Sequence, residues 1–513
     1  MSRPSAIRFY LPLLAILLAL MAILTAFLPM PGIQEDEALF LTPFLKGHAP
    51  LYSWTVGNRV VPVMLMDYVG ALKTWIYWPV FKFWKPGVWS IRLPVCFFSM
   101  LTVGVIALFL RRVTSARIAL LTSLLLATDA PFVLTSVFDW GPVCLLLLAT
   151  ALFLLLFQRF TSGGSPLWLS AAFLLAGLAT WQKALFVVIL AALALAWLLV
   201  FPTCVRRWMR VRNVLVAAVA FLAGSAPLIA FNLQRSASTF TAGRYLPPVA
   251  AREKLMMLQH TLDGRALEHY MFRSVAGEKI SLTEQPLEDR IAHWYKQSSF
   301  HPASLLLPAL VIALLALPFL RTSATFRALL FSWIAFAAAE AMMLLYRDAG
   351  AGPHHTVLLY PAPQFLVAAT ICALAELIRT PLKATLAVWA IAFILAGANL
   401  WLLHGYSRAG NQNGFSVIWT NGDVKLASTV TSTHLPVAIL DWGLQNPLQI
   451  ATNNQVGIVE PAPVRPGVLY VGHCDGYIID ESRSRDYLQL LRKTGVVTDP
   501  RGAPLFCLFG SRN

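Results

Sequence analysis

"FYLPLLAILLALMAILTAFLPMPGIQEDEALFLTP" occupies residues 9–43 of the chain. Its first part, residues 9–30, contains no charged side chain. A bilayer core about 30 Å thick takes roughly 20 apolar residues in one helix, so this run predicts a transmembrane helix. Three carboxylates, Glu35, Asp36 and Glu37, follow it directly. The chain therefore leaves the membrane on an acidic segment.

The composition of the whole chain extends this prediction. Of 513 residues, 58% are hydrophobic and 12% charged, with a mean hydropathy of +0.66. Soluble domains carry about 25% charged residues. The net charge of +16 would suggest nucleic-acid binding in a soluble protein, but here the Arg and Lys residues cluster between apolar windows. That pattern indicates the positive-inside arrangement of a polytopic α-helical membrane protein, with no nucleic-acid partner.

The N-terminus allows two interpretations. Arg3 and Arg8 before the apolar run could belong to a signal peptide. The run is long for the apolar region of a signal peptide, and no small-residue cleavage site is evident. We therefore expect a retained first helix.

About eleven spans are predicted. The long apolar stretch 167–202 is divided at Gln182 and Lys183. The expected spans are 9–30, 88–110, 116–136, 142–158, two within 167–202, 213–233, 303–320, 328–346, 357–378 and 384–404.

This threading puts the basic clusters at 111–117, 206–212 and 321–327 in the cytoplasm. A first outer loop at 31–87 and a second at 234–302 face the exterior. The predicted transmembrane domain is 1–404, and 405–513 is predicted to be a small soluble extracytoplasmic α/β domain. Within it, "SRDYLQLLRK" at 484–493 has helical spacing.

Of the six cysteines, Cys474 and Cys507 share the predicted exported domain. They could form a disulfide in an oxidising compartment, or remain two buried free thiols. We predict the disulfide.

The three carboxylates also have two explanations. Acidic residues favour helix N-termini, so the segment could simply cap a following helix. Alternatively, one carboxylate is a general base at the bilayer surface that removes a proton from a hydroxyl nucleophile.

The first outer loop supports the second explanation. Between residues 46 and 92, cations are interleaved with aromatic residues on the side where surplus positive charge is unexpected. Interface anchoring explains the aromatics, and snorkelling explains some of the charge. A bound anionic lipid phosphate explains the remainder. The cations are Lys46, Arg59, Lys73, Lys82, Lys85 and Arg92.

Four further residues attract attention. Asp139, in "FDWGP", fits turn chemistry as well as a role beside Asp36. Lys183 could snorkel from a helix end, but an ionisable residue inside an apolar window is functional by default. His354 and His355 could bind a metal, although adjacent side chains point apart and disfavour ligation by both.

The order of these motifs resembles the GT-C superfamily of polytopic glycosyltransferases, in the branch of protein O-mannosyltransferases and the bacterial aminoarabinose transferase of lipid A. The resemblance covers about residues 8–400. It rests on "DEALF" after the first helix, "YVGALKTWIYWPVFKFW" and "WSIRLP" before the second span, "FDWGP", "LAGLATWQKALFVV" and "PHHTVLLYPAP".

The resemblance implies roles for individual residues. Asp36 would be the catalytic base and Glu37 its partner, with Asp139 as a second acidic residue. Lys183 matches a lysine of the family that would support the donor phosphate, together with Arg59, Lys73, Lys82 and Lys85. His354, His355 and Tyr360 would contact substrate, and His355 stands where the family usually has Tyr.

The implied reaction is inverting transfer of a sugar from a polyprenyl-phosphate donor to a hydroxyl acceptor at the outer face of the bacterial inner membrane. The acceptor could be lipid A, a glycan or a protein. No nucleotide is required at the site, no cofactor is assigned, and a divalent cation on Asp36 and Asp139 is left open. A polytopic transporter or lipid flippase is the alternative, although no inverted repeat is evident. An inactive scaffold that presents the C-terminal domain is a third class.

Overall fold

A computed structural model describes residues 3–30, 32–45, 50–242, 248–272, 303–347, 349–413, 415–416, 419–474, 489–499 and 502–512. Lys46 and most of the second predicted outer loop lie outside these residues.

The described residues contain seven helices that are long and apolar enough to cross a membrane, with mean hydropathies of 1.8 to 2.4 over their most apolar windows. They are Arg3–Phe27, Val88–Val113, Val143–Thr161, Val211–Gln234, Phe326–Leu345, a nearly continuous stretch from Pro353 to Ala375, and Pro381–Asn413. The stretch from Pro353 consists of Pro353–Thr356, a 3₁₀ turn at Val357–Leu359 and Ala362–Ala375.

Shorter helices fill the remaining predicted spans. They are Ala116–Thr128, Ala130–Thr135, Pro166–Gln182, Phe186–Val200 and Leu306–Ala316, the last extended by a 3₁₀ turn at Leu317–Leu320. Every predicted span is thus helical in the structure, which confirms the polytopic α-helical class. The number of crossings stays a prediction.

The division of 167–202 into two helices has a local cause. The helix Pro166–Gln182 ends at Lys183, whose backbone is extended. This helix crosses Val211–Gln234 at two glycines, where a Cβ on Gly177 would lie 2.2 Å from the Phe221 carbonyl oxygen. Gly224 similarly faces the Leu174 carbonyl oxygen at 2.3 Å. Glycines allow close helix packing in membranes, and here they bring the helix Pro166–Gln182 against Val211–Gln234.

The described residues of the first predicted outer loop form regular secondary structure over most of their length. It contains a short helix, Glu35–Leu39, and a 3₁₀ turn, Thr42–Phe44. A three-stranded antiparallel sheet follows, with β1 at Tyr52–Val56, β2 at Arg59–Met66 and β3 at Val69–Gly70. The helix Leu72–Phe83 then leads to the second span.

Further short helices elsewhere in the described residues are Pro202–Trp208, Ser238–Ala242, Ala251–Leu262 and Glu268–Met271.

The C-terminal residues form the predicted domain of helices and sheet. The elements are helices Gly422–Thr433 and Gln445–Ala451, and strands β4 Val437–Ile439, β5 Ile458–Val459, β6 Leu469–His473, β7 Leu491–Thr498 and β8 Pro504–Ser511. The five strands lie in the order β5-β4-β6-β8-β7, with β4 parallel to β5 and β6 and with β8 antiparallel to its neighbours.

Two predictions about this domain can be compared with the structure. Cys474 and Cys507 form a disulfide, as predicted, because Cys474 directly follows β6 and Cys507 lies on the adjacent strand β8. The helix predicted at 484–493 is wrong at its end, since Leu491, Arg492 and Lys493 belong to β7. Pairing with β8 overrides the local helical spacing there. Residues 484–488 lie outside the described residues.

The C-terminal domain lies against the segment that follows the first membrane helix. Gly32 approaches the Thr420 carbonyl so closely that a Cβ would lie 1.8 Å from its oxygen. The Asn446 backbone N–H donates to the Glu35 carboxylate at 3.1 Å. The acidic helix is therefore held between the membrane helices and this domain.

Candidate active site

The acidic helix Glu35–Leu39 is fixed by a capping box. The Asp36 N–H donates to Gln34 Oε1 at 2.7 Å, and the Gln34 N–H donates to Glu37 Oε2 at 3.1 Å. Gln34 and Glu37 are fully buried, whereas Asp36 is only half-buried. Glu37 thus completes the cap, and the Asp36 carboxylate takes no part in it.

Glu37 is also locked by a buried ion pair. Arg92 Nε and Nη2 donate to its two carboxylate oxygens, each at 2.8 Å. The same guanidinium donates to the carbonyls of Leu28, Met30 and Gly32 at 2.9 Å each. Both side chains are inaccessible to solvent. Arg92 therefore ties the acidic helix to the end of the first membrane helix.

A second buried ion pair lies beside this one. Lys73 Nζ is 2.5 Å from Asp139 Oδ2, and both side chains are buried. The other oxygen, Asp139 Oδ1, accepts the Cys144 N–H at 3.2 Å, at the start of the helix Val143–Thr161. Asp139 thus has both predicted features, the turn chemistry and a place among charged residues.

Lys183 is held at the same junction as Lys73. The Lys73 N–H donates to Gln182 Oε1 at 2.6 Å, and Gln182 Nε2 donates to the Gly70 carbonyl at 3.2 Å. Lys183 itself forms an antiparallel bridge with Val69. Its Nζ would lie 3.7 Å from a Cβ on Gly141, two residues beyond Asp139. Lys183 is buried, so its ammonium adds a second cation next to the Lys73–Asp139 pair.

The electrostatics of the acidic helix distinguish its carboxylates. Loss of water raises the pKa of Asp36 to about 6, opposed by the positive charges of Lys183 and Lys73 and reinforced by Asp139 and Glu37. Loss of water also raises the pKa of Glu35 to about 8, against the hydrogen bond from Asn446. At pH 7 Asp36 is then mostly ionised and Glu35 mostly protonated.

The predicted histidines line the far side of this cluster. The His354 ring stacks on Trp140, with centroids 5.0 Å apart and planes at 25°, and its centroid lies 4.0 Å from that of His355. His354 Nδ1 is buried and has no hydrogen-bond partner among the described residues. Trp140, the neighbour of Asp139, links these rings to the acidic site.

Tyr360 takes a different position. Its hydroxyl donates to the Thr261 carbonyl at 3.3 Å and lies 3.5 Å from Asp129 Oδ2. Gln364 Nε2 donates to the same oxygen of Asp129 at 3.2 Å. Tyr360 therefore belongs to a separate buried polar group and not to the lysine cluster.

Three predicted phosphate ligands are not brought into the cluster. Arg59 is exposed at the start of β2, and Lys82 and Lys85 are exposed near the end of the helix Leu72–Phe83. Among the described residues, no group of three or more His, Cys, Asp or Glu side chains could hold a metal ion.

The sequence predicts Arg92 only as one of the loop cations beside an anionic lipid phosphate, whereas the structure pairs it with Glu37, so its role in holding the acidic helix was missed. The signal was present, because Arg92 lies inside the apolar window of the helix Val88–Val113, where a charge is costly and functional by default. Gln182 and Trp140 carried no such signal.

Part of the chain matches a family of known proteins. Residues 70–231 match the family described as Dolichyl-phosphate-mannose-protein mannosyltransferase. These residues include Lys73, Arg92, Asp139 and Lys183. A search of curated proteins finds no match.

Solved structures share the fold. ArnT from Cupriavidus metallidurans in the apo state matches with a TM-score of 0.50 and 15% identity over 98% of both chains. The same protein bound to undecaprenyl phosphate gives 0.49 and 14% over 98% of both chains. The Archaeoglobus fulgidus oligosaccharyltransferase tethered with an acceptor peptide gives 0.52 and 11%, over 98% of this chain and 74% of that chain. The resemblance to the GT-C glycosyltransferases predicted from the sequence is confirmed, and the fold is of this type.

Proposed function

We propose that this GT-C-type membrane protein is an inverting glycosyltransferase, which moves a sugar from a polyprenyl-phosphate donor to a hydroxyl acceptor at the outer face of the membrane. One observation carries the proposal: Asp36 is a half-buried carboxylate of the acidic helix that lies in the field of two buried lysines, Lys183 and Lys73. The match to a family named for a dolichyl-phosphate sugar supports the donor class.

Asp36 acts as the general base. Glu37 is occupied by Arg92, and Glu35 is mostly protonated at neutral pH, so neither is suited to accept a proton. Asp36 removes the proton of the acceptor hydroxyl, whose oxygen attacks the anomeric carbon. The bond from that carbon to the lipid phosphate breaks with inversion, and the phosphate leaves with the bonding electrons.

Lys183 and Lys73 stabilise the leaving phosphate. Their ammonium groups are buried, and electrostatic stabilisation in a water-poor site is worth several kcal/mol, about 3–4 for a single well-placed donor. Asp139 orients Lys73 through the 2.5 Å contact. Arg59, Lys82 and Lys85 are exposed and lie outside this cluster. Their role is long-range: they attract the anionic lipid to this face of the protein.

His354, His355 and Tyr360 are proposed substrate residues. The buried Nδ1 of His354 supplies a polar atom for a sugar or acceptor hydroxyl, and the stacked Trp140 ring supports it. Tyr360 does not belong to the lysine cluster, and its proposed role is indirect, through the buried group that it forms with Asp129. We assign no step to a divalent cation, and the acceptor, whether lipid A, glycan or protein, is left to experiment.

Activity is expected to fall as the pH drops through about 6. A base must be ionised, so protonation of Asp36 below its pKa of about 6 removes the active form. A plot of log kcat/KM against pH should descend with a slope near one on its acid side. The melting temperature measured at each pH separates this loss from unfolding, and a flat profile between pH 5 and 7.5 with an intact fold would exclude Asp36 as the base.

The acidic helix and the C-terminal domain are proposed to face the exterior of the bacterial inner membrane. The arginine clusters fall at the opposite helix ends, as the positive-inside rule requires. Val424→Cys, at a position 71% exposed, should react with a membrane-impermeant maleimide added to intact cells. Arg321→Cys should not react, both variants being made in a Cys204→Ser background. Labelling of Arg321→Cys alone would show that the topology is the reverse of the proposed one.

The function itself is tested in cells. Deletion of the protein should leave a polyprenyl-phosphate sugar unused and remove one sugar from an envelope lipid, glycan or protein, as seen by mass spectrometry. Unchanged lipid-linked sugars and unchanged envelope glycans would contradict the proposal.

A further inference from the structure

A cavity of about 550 Å³ lies inside the helix bundle, away from the acidic helix. Six helical segments line it: Val88–Val113, Val143–Thr161, Phe186–Val200, Pro202–Trp208, Phe326–Leu345 and the stretch around Leu358–Phe365. Its walls are mostly aliphatic and aromatic. Ligand pockets in proteins span about 300–1,000 Å³, so this one has room for a ligand.

One end of the cavity is polar. Arg112, Gln158, Ser162 and Arg327 line it there, and all four lie at or next to helix ends. Arg112 and Arg327 are exposed, and neither forms an ion pair within the part of the chain that the structure describes. Two guanidinium groups at the mouth of an apolar cavity favour an anion.

The cavity is deep and elongated. Arg327 and Ala339 both line it and are twelve residues apart on one helix, which corresponds to about 18 Å at 1.5 Å per residue. That depth is more than half of a bilayer core of about 30 Å. A hydrocarbon chain fits this shape better than a compact ligand does.

The arginine mouth is far from the acidic site. Arg92 and Arg112 belong to the same helix, twenty residues apart, so about 30 Å of helix separates them. A lipid whose phosphate lies beside Lys183 cannot also place that phosphate at Arg112. The occupant of this mouth therefore enters from the opposite leaflet.

We propose that the cavity binds one hydrocarbon chain of an anionic phospholipid from the leaflet opposite the acidic helix, with Arg112 and Arg327 contacting its phosphate. Arginine holds phosphate oxygens with charge-assisted, often bidentate hydrogen bonds. The cavity wall includes Tyr360, one of the proposed substrate residues, but Arg112 and Arg327 take no part in the proposed transferase activity, so either proposal can fail without the other.

Native mass spectrometry of the purified full-length protein tests the site. Delipidated protein is titrated with dioleoylphosphatidylglycerol or with zwitterionic dioleoylphosphatidylethanolamine, and retained adducts are counted. Wild-type protein should retain the anionic lipid preferentially. Because each arginine would lose a charge-assisted hydrogen bond to the phosphate, worth at least about a factor of ten, Arg112→Gln/Arg327→Gln should weaken that retention roughly 100-fold.

A matched control removes two charges from the same face without touching the cavity. Arg111 stacks on the Phe9 ring at 4.2 Å, and Arg321 is exposed; neither lines the cavity. Arg111→Gln/Arg321→Gln should retain phosphatidylglycerol as the wild type does. Equal losses of phosphatidylglycerol retention in the two double variants would show that retention depends only on the surface charge of this face, and would overturn the proposal.

A second variant tests the chain. Ala328→Phe places bulk at a half-buried wall position near the mouth and should abolish retention of both lipids without lowering the melting temperature. Unchanged retention would overturn the proposal. Displacement of phosphatidylglycerol by equimolar undecaprenyl phosphate in wild-type protein would also overturn it, since the cavity would then belong to the donor chain.

Discussion

Asp36→Asn should lower the rate of sugar transfer by at least about 10²–10⁴-fold, the usual loss when a general base is removed. Asparagine keeps the size of the side chain and most of its hydrogen bonding but lacks the basicity. The Asp36 side chain takes no part in the capping box, so the acidic helix should remain folded. The measurement is single-turnover transfer by the purified variant, with its melting temperature recorded alongside.

The adjacent residue provides the control. Glu35→Gln makes the same chemical change one position away, and its amide oxygen can still accept the Asn446 N–H. Its effect on transfer should be small. Near-normal transfer by Asp36→Asn, or loss of transfer only because the variant unfolds, would show that Asp36 is not the general base. The three carboxylates would then serve only to cap the helix.

Arg92→Met should lower the free energy of unfolding by about 3–5 kcal/mol, the cost of breaking a buried ion pair on one side only. The substitution leaves the Glu37 carboxylate uncompensated at a site without solvent access. It also removes the donor to three backbone carbonyls at the end of the first membrane helix. Unfolding in detergent, followed by circular dichroism, measures the loss.

Lys82→Met is the matched control, because Lys82 is an exposed cation of the same outer segment. It should leave the stability within about 0.5 kcal/mol of wild type. Glu37→Gln/Arg92→Met should recover part of the loss, since it removes the stranded charge. If Arg92→Met is as stable as Lys82→Met, the buried pair does not hold the acidic helix.

The helical part of the fold could be predicted because the bilayer imposes one rule on the chain. A charge-free run such as 9–30 has few structures available in lipid other than a helix, and basic residues such as Arg111 and Arg112 mark where a span ends. The break at Lys183 was also predictable, because a polar pair interrupts an apolar window there.

The candidate site was predictable only in part. Asp36, Asp139 and Lys183 stand out as charges next to apolar runs, but nothing local indicates that Lys73 pairs with Asp139, 66 residues away. Long-range pairing is set by tertiary packing, which a single sequence does not reveal. The same limit applies to β7, where pairing with β8 overrides a helical pattern.

Proteoliposomes that contain the purified protein and a glycosyl polyprenyl phosphate test the central claim most directly. With a soluble hydroxyl acceptor on the side of the acidic helix, we expect one polyprenyl phosphate released for each sugar transferred. The anomeric configuration of the product, determined by NMR, should be inverted. Movement of intact donor across the bilayer, with its sugar–phosphate bond unbroken, would contradict the account and identify a transporter.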